Sequence, residues 1–338
     1  MEEKSAHIIY LRVIATIFVI FIHASTGFLY RIETHAFDWN YANWINAATR
    51  CSVPIFVIIS GYLLLQKEET TGTFYRKRIP RLVYPFVFWT IVYLVYYFYR
   101  YTNFELLSTD KIGAIILDKM LHGANAHLWY LYMIIGLYLA IPFLRKILIN
   151  SSKREIELFL GLWLLSMCFS SKDLYRFMPK FDLTFFSGYI GYLVLGYYLR
   201  IREFRFNSSQ VVYAFIYLLM VGIAAYGTQL LNQGASKLNT FFYNYLFVTT
   251  AIAAGALFLF VKETMQGKNC PNWIRLIDKY SFGIYLSHII PLNYIHPIIA
   301  KQVGTAWLIP LATLATLLLS LAITYLLRKL PYGKYISG

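Results

Sequence analysis

Two ionisable side chains interrupt the apolar stretch IIYLRVIATIFVIFIHASTGFL, Ile8 to Leu29: Arg12 and His23. Eleven steps of about 100° make roughly 1100°, three turns plus about 20°, so in a helix the two share one face, about 16 Å apart along the axis. A guanidinium binds phosphate and other oxyanions, and an imidazole can take up a proton near neutral pH. Taken singly, each has an ordinary explanation: Arg12 snorkels to headgroups, and His23 is a satisfied core histidine. As an aligned pair they point to function, because a charged or titratable group in hydrocarbon costs about 2.5 kcal/mol or more and those kept there usually face the bundle interior.

Further chemistry is scattered along the chain. In NWINAATRCSVPIFVIISGYLLL, Arg50 falls at a depth comparable with His23 and is a second catalytic candidate. Pro54 should kink the helix beside it, and Ser60-Gly61-Tyr62 offers a point where a ligand or a neighbouring helix could approach the backbone. The run FYRKRIPRLVYP gathers Arg76, Lys77, Arg78 and Arg81. Such a cluster meets either anionic lipid headgroups or a polyphosphorylated cofactor. His127 and Tyr130 open a later apolar stretch, and YSFGIYLSHIIPLNYIHP places Ser281, Tyr285 and His288 inside another. His127, Tyr130, Tyr285 and His288 are the candidates for binding a polar substrate. His7, His35 and His122 read as interface residues. No Asp or Glu falls deep in an apolar stretch, which counts against proton-coupled transport and leaves a carbonyl, a tyrosine or an Arg50-linked water to orient His23. Cys51, Cys168 and Cys270 show no CxxC spacing, so neither a metal nor a disulfide is expected.

The elements that must carry these groups are membrane helices. Hydrophobic residues make up 59% of the chain and charged ones 14%, and mean hydropathy is +0.54, which excludes a soluble domain with a tail. Apolar windows predict an all-α polytopic bundle of about ten spans, near 8–29, 43–66, 82–100, 128–145, 156–171, 182–200, 210–231, 240–262, 280–300 and 304–327. A tight turn between the last two also allows nine. With the N-terminus inside, twenty Lys and Arg fall on inner loops and nine on outer ones, so the net charge of +15 follows the positive-inside rule without nucleic acid as partner. Both termini are then cytoplasmic. The abundant Tyr and Trp at span ends read as aromatic belts. The loop 101–126 contains DKIGAIILDKMLHG, with apolar residues at helical spacing, and predicts an amphipathic surface helix. One membrane domain, 1–338, with no appended soluble domain is expected, in contact with lipid and compatible with a homo-oligomer.

Several of these pieces together resemble membrane-bound acyltransferase family 3, most closely its compact branch that includes the O-acetyltransferase of enterobacterial common antigen. The matching residues are Arg12 and His23 at their spacing, WNYANWINAATRCSVPIFVIISGYLLL, RKRIPRLVYP, HLWYLYMIIGLYLAIPFL and SFGIYLSH. The resemblance implies about ten spans, acetyl-CoA used from the cytoplasm without a metal, and acylation of a glycan or lipid-linked sugar at the outer face of the cell's inner membrane. It carries essential roles to Arg12 and His23 and motif roles to Ser60, Gly61, Arg78 and Arg81. With the basic run, these imply a donor site of Arg12, Ser60, Gly61, Arg76, Arg78 and Arg81. The pantetheine arm would thread up one passage along the Arg12 and His23 face, with His23 as general base or acyl relay. A lipid or glycan transporter or flippase is the competing reading, but the inverted repeats it should show are not found.

Overall fold

A helix that is apolar on every side belongs inside a bundle, and α1 (Ala6–Leu29) is placed there. Ile8, Leu11 and Ala15 enter one buried cluster, Ile9, Val13 and Ile20 a second, and Ala24 and Leu29 a third. The structure, a computed structural model, describes residues 6–102, 108–170, 183–203 and 209–337.

The returning span is broken into α2 (Phe37–Thr49) and α3 (Ser52–Leu64). Pro54 has no N–H for the carbonyl of Arg50 four residues back, and its ring crowds that carbonyl, so the helix parts at Arg50 and Cys51. There follow α4 (Thr71–Tyr101), α5 (Thr109–His122), α6 (Trp129–Ile149), α7 (Lys153–Ser170), α8 (Ile190–Ile201), α9 (Ser209–Asn232) and α10 (Val248–Thr264). The last elements are α11 (Asn272–Ser287), α12 (Ile289–Ile299), α13 (Thr305–Lys329) and the short α14 (Gly333–Ile336). The α11–α12 junction at His288 repeats the device at Arg50, since Pro291 cannot bond the Ser287 carbonyl. α1 packs against α2, α3, α10, α11, α12 and α13.

Among the described residues, seven segments are long and apolar enough to cross a membrane: Ala6–Leu29, Phe37–Leu64, Thr71–Tyr101, Ala126–Ile149, Ser209–Asn232, Phe241–Thr264 and Thr305–Lys329. The three other predicted spans fall on α7, on α8 and on the broken pair α11–α12, and their predicted bounds at 171 and 182 lie outside the described residues. Apolar side chains cover the outside of the bundle as well as filling its core, and polar ones are buried among them. On α4 the exposed stripe Val87, Ile91, Val95 and Tyr99 recurs every turn and faces lipid, whereas Thr313, Thr316, Ser320 and Thr324 of α13 are buried. The expected surface helix is α5, none of whose residues is buried.

Arg145 of α6, expected on an inner loop, is instead 6% exposed. Its guanidinium donates to the carbonyls of Leu64 at 3.1 Å and Glu69 at 3.0 Å, closing the carboxyl end of α3. An Arg145→Leu substitution removes the guanidinium from the Glu69 carbonyl and leaves Leu64 with the Lys67 amide at 3.4 Å, and should cost about 1–3 kcal/mol. A lower thermal midpoint in detergent reads it out.

Candidate active site

At the end of the bundle where α1 begins, a cavity of about 1010 Å³ lies between α1, α3, α4, α6, α11 and the carboxyl-terminal helices. Seven cations line it: Arg12, Arg76, Lys77, Arg78, Arg81, Arg328 and Lys334. α4 presents four of them in its first turns, behind an N-cap in which the Thr70 hydroxyl accepts from the Thr73 amide at 3.3 Å. Two carboxylates hold part of this charge. Arg12 pairs with Asp278 of α11, and Glu69 takes Arg78 at 3.2 Å, Lys77 at 3.7 Å and Arg145 at 3.9 Å. Arg76 and Arg81 are exposed and show no ion pair among the described residues. The positive surplus suits a polyanionic ligand.

Nearer the opposite end of α1, a second cavity of about 450 Å³ is lined by His23, Thr26, Arg50, His127 and an aromatic set that includes Trp129, Tyr243 and Tyr245. Arg50, at the α2–α3 break, donates to the side-chain oxygen of Asn46, whose amide nitrogen in turn donates to Ser25 at 2.7 Å. The guanidinium lies 4.7 Å from the centre of the Tyr243 ring and 5.5 Å from that of Tyr245.

Tyr285 of α11 is common to both linings. Its hydroxyl donates to the His127 carbonyl at 2.5 Å, and its ring lies 5.2 Å from that of Tyr130 and 6.3 Å from that of Phe56. Arg12 therefore lines one cavity and His23 the other, with Tyr285 on the border of both.

Three imidazoles gather together. His23 stands 5.1 Å from His288 and 6.3 Å from His127, ring centre to ring centre, and His127 stands 5.1 Å from His288. The break at His288 turns its ring so that Nδ1 lies 2.5 Å from the Tyr285 carbonyl. A carbonyl only accepts, so Nδ1 donates and the neutral ring keeps its lone pair on Nε2. That nitrogen is buried and meets no hydrogen-bond partner. His127 has an oxygen beside each ring nitrogen: the Leu286 carbonyl 3.3 Å from Nε2 and the Asn125 side-chain oxygen 3.0 Å from Nδ1. Among the described residues no group of three or more His, Cys, Asp or Glu is arranged to hold a metal ion.

The structure sorts the expected residues into three places. Arg12, Ser60, Arg76, Arg78, Arg81 and Tyr130 share the larger cavity, where the Ser60 hydroxyl donates to the Phe56 carbonyl at 3.0 Å. His23, Arg50 and His127 share the smaller one, and Tyr285 borders both. His288 is fully buried and touches the histidine rings rather than open space. Gly61 does not line the larger cavity: a side chain there would stand 2.1 Å from the Leu193 carbonyl oxygen of α8, so its bareness serves helix packing. Asp278, read as a span-end residue, is the partner of Arg12 from 266 positions away, and no local signal could have joined them. Asn46, Tyr243 and Tyr245 also escaped the sequence reading, since tyrosines near span ends are absorbed by the aromatic-belt explanation.

No curated protein and no solved structure matches the chain. The sequence model of the acyltransferase 3 family, described as an acyltransferase domain, matches residues 6–325, a range that contains both cavities apart from their carboxyl-terminal rim at Arg328, Lys334 and Tyr335. The chain is a multi-pass membrane acyltransferase and belongs to that family.

Proposed function

We propose that the protein moves an acetyl group from cytoplasmic acetyl-CoA to a hydroxyl of a cell-surface glycan or lipid-linked sugar, as in the compact branch that the motifs resemble. The observation that carries this reading is the pairing of a large cation-lined cavity with a smaller, aromatic, histidine-bearing one across a single tyrosine. In it, Arg76 and Arg81 meet the phosphates and nucleotide, and Arg12, steadied by Asp278, marks the inner start of the path. The twenty-to-nine charge bias supports placing this end in the cytoplasm.

His23 acts as general base. A ring nitrogen takes the proton of the acceptor hydroxyl, the oxygen forms its bond to the acyl carbon, and the carbon–sulfur bond breaks. The departing thiolate then receives the proton from His23. In a relay, a His23 nitrogen instead bonds to the acyl carbon as the carbon–sulfur bond breaks and the ring's proton passes to the thiolate; the acceptor oxygen then displaces the imidazole from that carbon, and its proton returns to the ring. Either route brings the thioester past Tyr285, the residue on the border of both cavities.

Purified protein given radiolabelled acetyl-CoA and a panel of glycans should transfer label to at least one; label left wholly on the donor across the panel would count against the reading. The donor site has its own test. An Arg76→Gln, Arg81→Gln double variant should raise the KM for acetyl-CoA at least about tenfold with a much smaller change in kcat, because it removes charge that binds the remote phosphates and leaves the reacting atoms alone. Equal loss in kcat, with KM unmoved, would remove these residues from the donor site.

A further inference from the structure

We infer that Arg50 makes the outer cavity an anion site, and that the acceptor carries a negatively charged oxyanion group beside the hydroxyl to be acylated. This deepens the proposed function and rests on its assignment of the smaller cavity to the acceptor.

The argument starts from charge. Among the described residues, Arg50 is the one Lys or Arg in the lining of that cavity, and the lining contains no Asp or Glu. Among the described residues Arg50 forms no ion pair, in contrast to Arg12 and Arg78 at the other cavity. Of its five N–H donors, one is spent on Asn46, while Nε is buried and meets no acceptor. The faces of Tyr243 and Tyr245 return part of the cost of holding a cation at this depth, but ring quadrupoles supply less than a counter-anion does. The charge is also held in place. Asn46 is tied to Ser25, the Tyr243 hydroxyl donates to Asn43, and the backbone is broken at Arg50 itself. A rigid guanidinium with donors to spare suits a phosphate or carboxylate, which it can grip with two parallel bonds. The donor's own phosphates belong to the other cavity, beyond Tyr285, so the anion that Arg50 awaits comes in with the acceptor. The cavity volume of about 450 Å³ falls within the range of small-ligand sites, and its tyrosine and tryptophan walls suit a ring with an apolar face.

Two sources fit this chemistry: the phosphate of a sugar linked to a lipid carrier, and the carboxylate of an acidic sugar. The test measures binding of glucose, glucose 1-phosphate and glucuronate to the full chain in phosphatidylcholine nanodiscs, with saturating CoA occupying the larger cavity. One or both anionic sugars should bind at least about tenfold more tightly than glucose, and the better of the two identifies the source. Arg50→Gln should abolish the preference while leaving CoA affinity unchanged. Arg50→Lys, which keeps the charge and loses the fork, should retain part of it, and serves alone if the Gln variant does not accumulate. Equal affinity for all three sugars in the wild type, or a preference that survives in Arg50→Gln or is undiminished in Arg50→Lys, overturns the inference. None of these readouts needs turnover, so a His23 variant that still transferred acetyl would defeat the proposed chemistry and leave this result standing.

Discussion

Replacing His23 by alanine should lower acetyl transfer by about 10²–10⁴-fold, the range that a positioned proton-transfer group contributes. CoA affinity should be unchanged, because His23 lines the smaller cavity and the proposed phosphate site is in the larger one. Radiolabelled transfer and CoA binding, measured on the same preparation, check both halves. Transfer at the wild-type rate by a folded variant that binds CoA would sink the base and the relay together. The two routes part when the wild type is given labelled acetyl-CoA without acceptor and quenched: a relay leaves label on the protein, and a base leaves none. The geometry supplies a reason for His23 to be effective without a carboxylate beside it. His288 keeps a lone pair on a buried Nε2, and its ring lies 5.1 Å from that of His23, close enough for a small turn of either ring to make one imidazole orient the other.

Stability should respond most sharply at Gly61. A Cβ built there lies 2.1 Å from the backbone oxygen of Leu193, and one at Gly196 lies 2.1 Å from that of Ile58, so α3 and α8 touch backbone to backbone from both sides. Small residues permit such an approach between membrane helices, where packing rather than water drives association. Because the obstructing atoms are main chain, no side chain can swing away. Gly61→Val should therefore cost about 3 kcal/mol, at or above the upper end of ordinary overpacking, and the protein should accumulate poorly. Gly136→Ala is the control: nothing lies within 4 Å of a Cβ there, and removing a helical glycine should gain roughly 0.5–1 kcal/mol. Thermal midpoints in detergent, followed by tryptophan fluorescence, compare the two. Equal midpoints would show that the helices can part without cost.

What was legible in the sequence is what depends on neighbours along the chain. Helical spacing placed Arg12 and His23 on one face, and the length and apolarity of that stretch put it inside the bundle. Pro54 announced the break at Arg50, the helical spacing of apolar residues in 101–126 announced α5, and the order of charges announced the basic rim. The rest depended on contacts that no local pattern records. Asp278 reaches Arg12 across the fold, and Gly61 meets α8 rather than a ligand. Tyr285 was legible as a polar residue on a span, but its place between two spaces follows from where α11 crosses α3 and α6. Pro291, which breaks the backbone at His288, carried the same signal as Pro54 and could have been read.

The tyrosine between the cavities has a consequence apart from chemistry. A continuous aqueous bore through an energised bilayer would leak ions, and each elementary charge crossing 100 mV dissipates about 2.3 kcal/mol. In the proposed function donor and acceptor enter the two cavities from opposite sides; a Tyr285 side chain standing between them would keep ions from following, so that transfer across the membrane need not discharge it.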